Sequence, residues 1–341
     1  MAISPLGIDD SADQADADPE KDLSGEAIAG RSPFQLAMEQ LRRDKVAVIC
    51  LGIVIFFYIV AIFAPWLCDL FGVQVDPAST AERTESLEYD GYPAIGPPRH
   101  GFTWDHPLGI APSVATDNLA SWIYGCRTSV VVATVSAAAA TSIGIVMGLL
   151  AGFARGGSAT VLNWIIDFFL SLPFILVALA TAPIIIMRFA DQPELLDAAS
   201  LIALVLILSI FGWMTLARLI RGEVLSLRER EFIQAARVIG VPTRTILRRE
   251  LLPNLVAPIV VYFSLMLPAF VAAEAGLAYL GIGVVGMPSW GQTINFGSGG
   301  GYFNTYPLYL WAPILGILVL VVALNLLGDA VRDAFDPKTR R

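Results

Sequence analysis

"VAVICLGIVIFFYIVAIFAPW", residues 46 to 66, contains no charged side chain. At about 1.5 Å per residue it is long enough to cross the roughly 30 Å of a bilayer's hydrocarbon core. Arg42, Arg43 and Lys45 stand immediately before it, as a basic lip at one membrane surface. Working outward, five more apolar runs follow, at roughly 127–152, 162–187, 199–219, 256–285 and 308–328. The predicted fold is therefore an all-α membrane protein with six transmembrane helices. Pro258 and Pro268 inside the fifth run predict a kink there.

Composition agrees. The chain has 341 residues, 56% hydrophobic and only 15% charged, against about 25% charged in an ordinary soluble domain. A net charge of −8 gives no sign of a nucleic-acid partner. Of the three cysteines, Cys50 lies within a run, while Cys68 and Cys126 lie at run ends. No C-x-x-C occurs, so a metal or redox motif is absent. Free thiols are expected; whether Cys68 and Cys126 pair is not legible from spacing.

An even number of spans puts both ends of the chain on one side, and the basic residues say which. With the N-terminus inside, the inner segments hold Lys21, Arg31, Arg42, Arg43, Lys45, Arg155, the arginines from Arg218 to Arg249, Arg332, Lys338, Arg340 and Arg341. The outer segments hold only Arg83, Arg99, Arg127 and Arg188. That asymmetry follows the positive-inside rule.

The chain then divides into an acidic cytoplasmic tail (1–31), a lead-in helix (32–45), the first span (46–67), an extracytoplasmic segment (68–126) and a five-span core (127–341). The core contains a long cytoplasmic loop at 220–254. Eight acids crowd the tail, from Asp9 to Glu26, with few large apolar groups. Such a segment buries too little surface to offset its ordering entropy, so it is expected to be disordered. His100 and His106 lie in the outer segment without a supporting cluster of carboxylates or cysteines, and are expected to be ordinary loop residues rather than metal ligands.

The loop contains "QAARVIGVPTRTILRRELLPN", residues 234 to 254. A helix is expected from Glu229 to Ile239, ended by Gly240 in a left-handed conformation. Pro242 near the first turn of a second helix costs no hydrogen bond. That helix carries Arg244, Arg248 and Arg249 and is expected to stop before Leu252-Pro253. The residues alone allow two readings of this elbow. It is an amphipathic segment on anionic lipid headgroups, or a coupling element whose alanines let a cytoplasmic partner approach closely.

The stretch resembles the EAA loop of ATP-binding-cassette importer permeases. Gln234-Ala235-Ala236 is followed after three residues by Gly240, and Leu252-Pro253-Asn254 arrives at the family's distance. Gln234 stands where Glu is usual and Glu250 where His is common. More of the chain resembles one branch, the C-type subunit of dipeptide, oligopeptide and nickel permeases. The matching stretches are "SPFQLAMEQLRRDK" with the first span, "HPLG" at 106–109, "IYGCRTS" at 123–129, "GLLAGFARGG" at 148–157, "EAGLAYLGIGV" with "PSWG" at 288–291, and "NLLGDAVRDAFDPKTRR" at 325–341. The match is interrupted by what looks like an insertion near 75–100. After HPLG this chain has Ile110-Ala111-Pro112 and Ala115-Thr116-Asp117, where the branch has a Thr-Asp and a Gly-Arg-Asp.

The resemblance implies a type I ABC-importer permease in the plasma or inner membrane, with peptides or related small ligands as cargo. It implies coupling to an ATPase through Gln234, Ala235, Ala236, Gly240, Arg244, Leu252 and Pro253. Its implied partners are a second homologous permease, two ATP-binding subunits or one fused ATPase, and an extracytoplasmic binding protein. ATP and magnesium would be bound by those ATPase subunits, with no cofactor in this chain. In keeping with that, no lysine follows a glycine in a G-x-x-x-x-G-K pattern, and neither G-x-S-x-G nor H-E-x-x-H occurs. A non-catalytic subunit is expected.

Two acids fall within predicted spans. Asp167, a turn or two into the third, is expected near the cytoplasmic interface and the helix N-terminus. Glu274 lies deeper in the fifth, either lining a watery translocation path or paired with another helix. Gly281 and Gly283, near the outer end of that span, suit close helix contact or a gate in the path. The rival readings are a proton-coupled secondary transporter using Asp167 and Glu274, and a receptor or scaffold without transport.

Overall fold

The computed structural model describes residues 33–75, 85–96, 99–299, 302 and 305–336. The acidic tail expected over 1–31 lies outside them, as do 76–84 and 97–98 of the segment expected to be extracytoplasmic. The described residues are almost wholly helical, without a strand among them.

Helix α1 (Pro33–Arg43) leads into α2 (Lys45–Ile62), and Asp44 between them caps α2. One Asp44 carboxylate oxygen accepts from the Val46 and Ala47 amides at 2.8 and 3.3 Å, satisfying donors that a helix start leaves orphaned. A short α3 (Ala64–Phe71) follows and closes on Gly72 at φ +67°. Helix α4 (Asn118–Phe153) begins nine residues before the expected 127, because Asp117 accepts from the Ala120 amide at 2.9 Å and starts the helix among polar residues.

The third predicted span is not one helix. It divides into α5 (Gly157–Ser171) and α6 (Phe174–Arg188), bent by 83°. Pro173 has no N–H to continue the ladder, and it drives Leu172 into extended backbone at ψ 128°. The fourth span is α7 (Pro193–Leu227), the fifth α9 (Val256–Tyr279) and the sixth α11 (Pro307–Phe335). Between α7 and α9 lies α8 (Glu231–Val238), and between α9 and α11 lies α10 (Trp290–Gly299). Counting α5 with α6 as one, six helical units among the described residues are long and apolar enough to cross a membrane.

The kink expected in the fifth span does not interrupt it: α9 is one helix, with Pro258 in its first turn and Pro268 inside. It is also shorter than the expected 256–285. Gly281 takes φ +88°, the Ile282 amide donates to the Leu277 carbonyl at 2.9 Å, and the Gly281 amide donates to Ala278 at 3.1 Å. These are the two bonds of a Schellman motif, which stops the helix.

The bundle is organised around the α4–α7 pair, its most extensive helix contact. Gly144, Gly148 and Gly152 recur every fourth residue, on one face of α4. A Cβ at Gly148 would sit 2.7 Å from the Ala217 carbonyl oxygen and from Ile220 Cβ; one at Gly152 would sit 2.6 Å from Val224 Cβ. In a bilayer, where lipid tails compete equally for apolar surface, such close approach supplies the dispersion that holds helices together. Near the end of the bundle where α4 begins, the Trp290 indole donates to the Trp122 carbonyl at 3.0 Å, and the Trp122 indole donates to Ala312 at 3.0 Å. Phe57 packs edge-on to Trp290 with centroids 5.8 Å apart, tying α2, α4, α10 and α11 into one cluster.

The described residues between α3 and α4 fold onto that end. Arg99 reaches Glu88 and Asp90 at 3.1 and 3.2 Å and covers the Tyr92 ring at 4.0 Å. Tyr92 in turn stacks on Tyr306. His100 lies 3.0 Å from Glu88, and His106 Nδ1 lies 2.6 Å from the Asp117 carboxylate that caps α4. All three cysteines are buried free thiols; Cys126 sits against the Phe57 carbonyl.

Candidate functional site

Helix α8 ends at Val238, and Gly240 follows at φ +83°. The Val241 amide donates to the Ala236 carbonyl and the Gly240 amide to the Arg237 carbonyl, both at 3.0 Å. This is the same Schellman arrangement as at Gly281, and glycine suits it because a side chain at positive φ is strained. Pro242 stands outside the next helical segment as its N-cap, at ψ 138°.

The helical run over 243–254 does not stop before Leu252-Pro253. Thr243–Thr245 is α-helical, Ile246–Leu251 is a π turn, and Leu252–Asn254 continues as α-helix. Pro253 explains the widening. It offers no amide to the Arg249 carbonyl, and its ring would strike that carbonyl in α register, so the wider register lets the chain pass. The Asn254 side chain donates to the Glu250 carbonyl at 2.6 Å, satisfying one acceptor in this irregular turn.

Two sets of side chains face opposite ways. Ile233, Ile246, Leu251 and Leu255 are buried and anchor the elbow to the bundle. Val238 is 88% and Ile239 79% exposed, beside the exposed Gln234, Ala235 and Gly240. Ala236 and Leu252 are half-buried; Arg244, Arg248, Arg249 and Pro253 are exposed. The elbow thus presents an apolar tip and a basic flank, anchored by buried side chains.

Its inner side rests on the end of α4. The Arg237 guanidinium lies 4.6 Å over the Phe153 ring, and Arg228 donates to the Gly152 carbonyl at 3.3 Å. Partial burial lowers the Arg237 pKa, and the neighbouring Arg155 and Arg228 charges lower it further. Three guanidinium groups therefore gather where the carbonyl end of α4 presents its partial negative charge.

The other predicted residues fall elsewhere. Glu274 is fully buried within this subunit, and one carboxylate oxygen accepts from the Ser129 hydroxyl of α4 at 2.6 Å. Within this chain its carboxylate thus meets another helix. Gly281 ends α9. Gly283 leaves room for the Gln292 side chain, which donates to the Val284 carbonyl at 3.1 Å and accepts from the Ser289 amide at 3.2 Å.

Asp167 is farther along its helix than expected, because α5 starts at Gly157, just after a glycine turn with Gly156 at φ +63°. It pairs with Arg218 of α7 at 2.6 Å. The partnership of Arg218, and the glycine face of α4, were not found from sequence. The four-residue spacing of Gly144, Gly148 and Gly152 was the available signal for the second.

The profile of the binding-protein-dependent transport system inner membrane component family matches residues 144–341, which contain the elbow and the last four spans. The chain belongs to this family. Residues 32–81 match the N-terminal transmembrane domain of oligopeptide transport permease C. A dipeptide transport system permease protein of Alkalihalophilus pseudofirmus is 32% identical over 310 residues, spanning 91% of each chain. An oligopeptide transport system permease protein of Mycobacterium bovis is 33% identical over 236 residues, 69% of this chain and 77% of that one. The inward-facing methionine ABC transporter MetNI superposes with a TM-score of 0.51 at 21% identity, covering 64% of this chain and 97% of that chain. That likeness shows the type I permease fold. As a member of the family, the chain is a membrane-embedded transport component.

Proposed function

We propose that this chain is one permease half of an ATP-driven importer for dipeptides or oligopeptides. The observation that carries the reading is the elbow: an exposed apolar tip at Val238 and Ile239, held by four buried anchors. Exposed aliphatic side chains at a rigid tip suit a complementary groove in a protein partner. The peptide cargo is taken from the printed names of the dipeptide and oligopeptide permease relatives.

In this reading the chain is not catalytic. ATP and magnesium bind to two cytoplasmic ATPase subunits, or one fused ATPase, and closure of those subunits moves the elbow. Gln234, Ala235, Ala236, Gly240 and Arg244 meet the ATPase, while Leu252 and Pro253 hand the displacement to α9. A second, homologous permease completes the path, and a binding protein delivers peptide from outside. Both termini are cytoplasmic, and the membrane is the inner or plasma membrane. The coupled change of helix tilt is a shift between inward-facing and outward-facing populations.

Uptake into proteoliposomes holding all partners tests this. Uptake should cease when the partner ATPase is inactivated and persist when the proton gradient is collapsed. The opposite pattern would favour the proton-coupled alternative built on Asp167 and Glu274.

A further inference from the structure

The Asp167–Arg218 pair is out of place for a lipid-facing surface. The two side chains meet at 2.6 Å, yet they remain 63% and 58% exposed, respectively. Arg218 lies within a helix long and apolar enough to cross a membrane, and Asp167 lies in α5, which passes that test only together with α6 across the 83° bend. Their depth follows from the α4–α7 packing, in which Gly148 lies against Ala217 and Ile220. Arg218 is therefore level with Gly148, five residues before the last helical residue of α4 at Phe153, about 8 Å along the helix at 1.5 Å per residue and at the inner edge of the predicted fourth span.

Arginine can extend its charge over such a distance to the headgroups, but aspartate has one methylene and cannot. Were lipid to cover that face, two half-exposed charges there would cost several kcal/mol. One turn beyond Asp167, the helix breaks at Leu172-Pro173. Interrupted backbone at membrane depth is tolerated only where protein covers it or water reaches it. Two independent features of α5 thus point the same way.

We propose that this α5–α7 face is a wetted wall of the translocation path, and that Asp167 and Arg218 form a subsite for zwitterionic peptides. A peptide's free ammonium exchanges onto the Asp167 carboxylate, and its terminal carboxylate onto the Arg218 guanidinium. Arginine's fork of donors matches a carboxylate in bidentate geometry. When the path is empty, the two side chains satisfy each other, so neither charge is left bare. This rests on the transport reading above, and it assigns the ligand's charged ends to two named side chains.

The test uses the complete reconstituted complex carrying Ser171→Cys, an exposed position one turn from Asp167. A charged, membrane-impermeant methanethiosulfonate should label it. Alanyl-alanine should slow labelling several-fold, whereas N-acetyl-alanyl-alanine amide, lacking both end charges, should not. Asp167→Asn or Arg218→Gln in the same background should leave labelling intact and abolish protection, while Arg218→Lys should retain part of it.

A thiol inert to the charged reagent would overturn the wetted wall. Equal protection by both peptides, or protection surviving Arg218→Gln and Asp167→Asn, would reduce the pair to a strut between helices. Loss of ATPase stimulation with labelling and protection intact would instead count against the elbow.

Discussion

The Val241 amide donates to the Ala236 carbonyl at 3.0 Å, across Gly240 at φ +83°. That bond closes the turn that follows the exposed Val238 and Ile239. Gly240→Val places a β-branched side chain in the left-handed region, at a cost of about 1–2 kcal/mol or more. The exposed turn has no neighbour within contact of a new Cβ, so the bundle should remain folded. Peptide uptake should fall at least tenfold, with little change in melting temperature. Gly240→Asn, whose side chain tolerates this conformation better, should retain more uptake.

A different outcome is expected at Gly148. Any side chain there meets the Ala217 carbonyl oxygen and Ile220 Cβ at 2.7 Å, and a backbone carbonyl cannot rotate away. Gly148→Val should separate α4 from α7 and destabilise the subunit by about 1–3 kcal/mol or more. A lower apparent melting temperature in detergent, with loss of assembled complex, is the readout. Gly222→Ala is the control: it has open space around it and should leave stability nearly unchanged.

Glu274 bears on the buried hydrogen bond to Ser129. Glu274→Gln keeps length and hydrogen-bonding capacity, so uptake should be close to that of the parent. Glu274→Ala removes the partner of Ser129 and opens a cavity, and should cost about 2–4 kcal/mol. Thermal unfolding of the two variants separates these cases. A strong change of substrate range in Glu274→Gln, with stability unaltered, would support the path-lining role.

Much of this was legible in the residues. The long apolar runs and the distribution of arginine dictated the membrane bundle, because hydrocarbon excludes charge and unpaired backbone. Gly240 marked the elbow's turn through its own conformational freedom. The misses have physical causes too. Helix α4 starts earlier than its apolar run because Asp117 supplies a cap, and hydropathy does not register caps. Pro173 breaks its span, whereas Pro258 lies harmlessly in a first turn; the same residue type has opposite effects according to position in the helix. The π turn over Ile246–Leu251 accommodates Pro253, where the expected helix stop assumed only an α register. Arg218, one of many arginines between 218 and 249, became distinctive only when α5 and α7 were placed side by side.

The most direct measurement is photo-cross-linking from a benzoylphenylalanine at Ile239 in the complete complex during ATP turnover. The account predicts a covalent adduct with the ATPase subunit, its yield changing between the ATP-bound and nucleotide-free states. Adducts with lipid alone, or adducts formed only by reagents confined to the outer side, would contradict it.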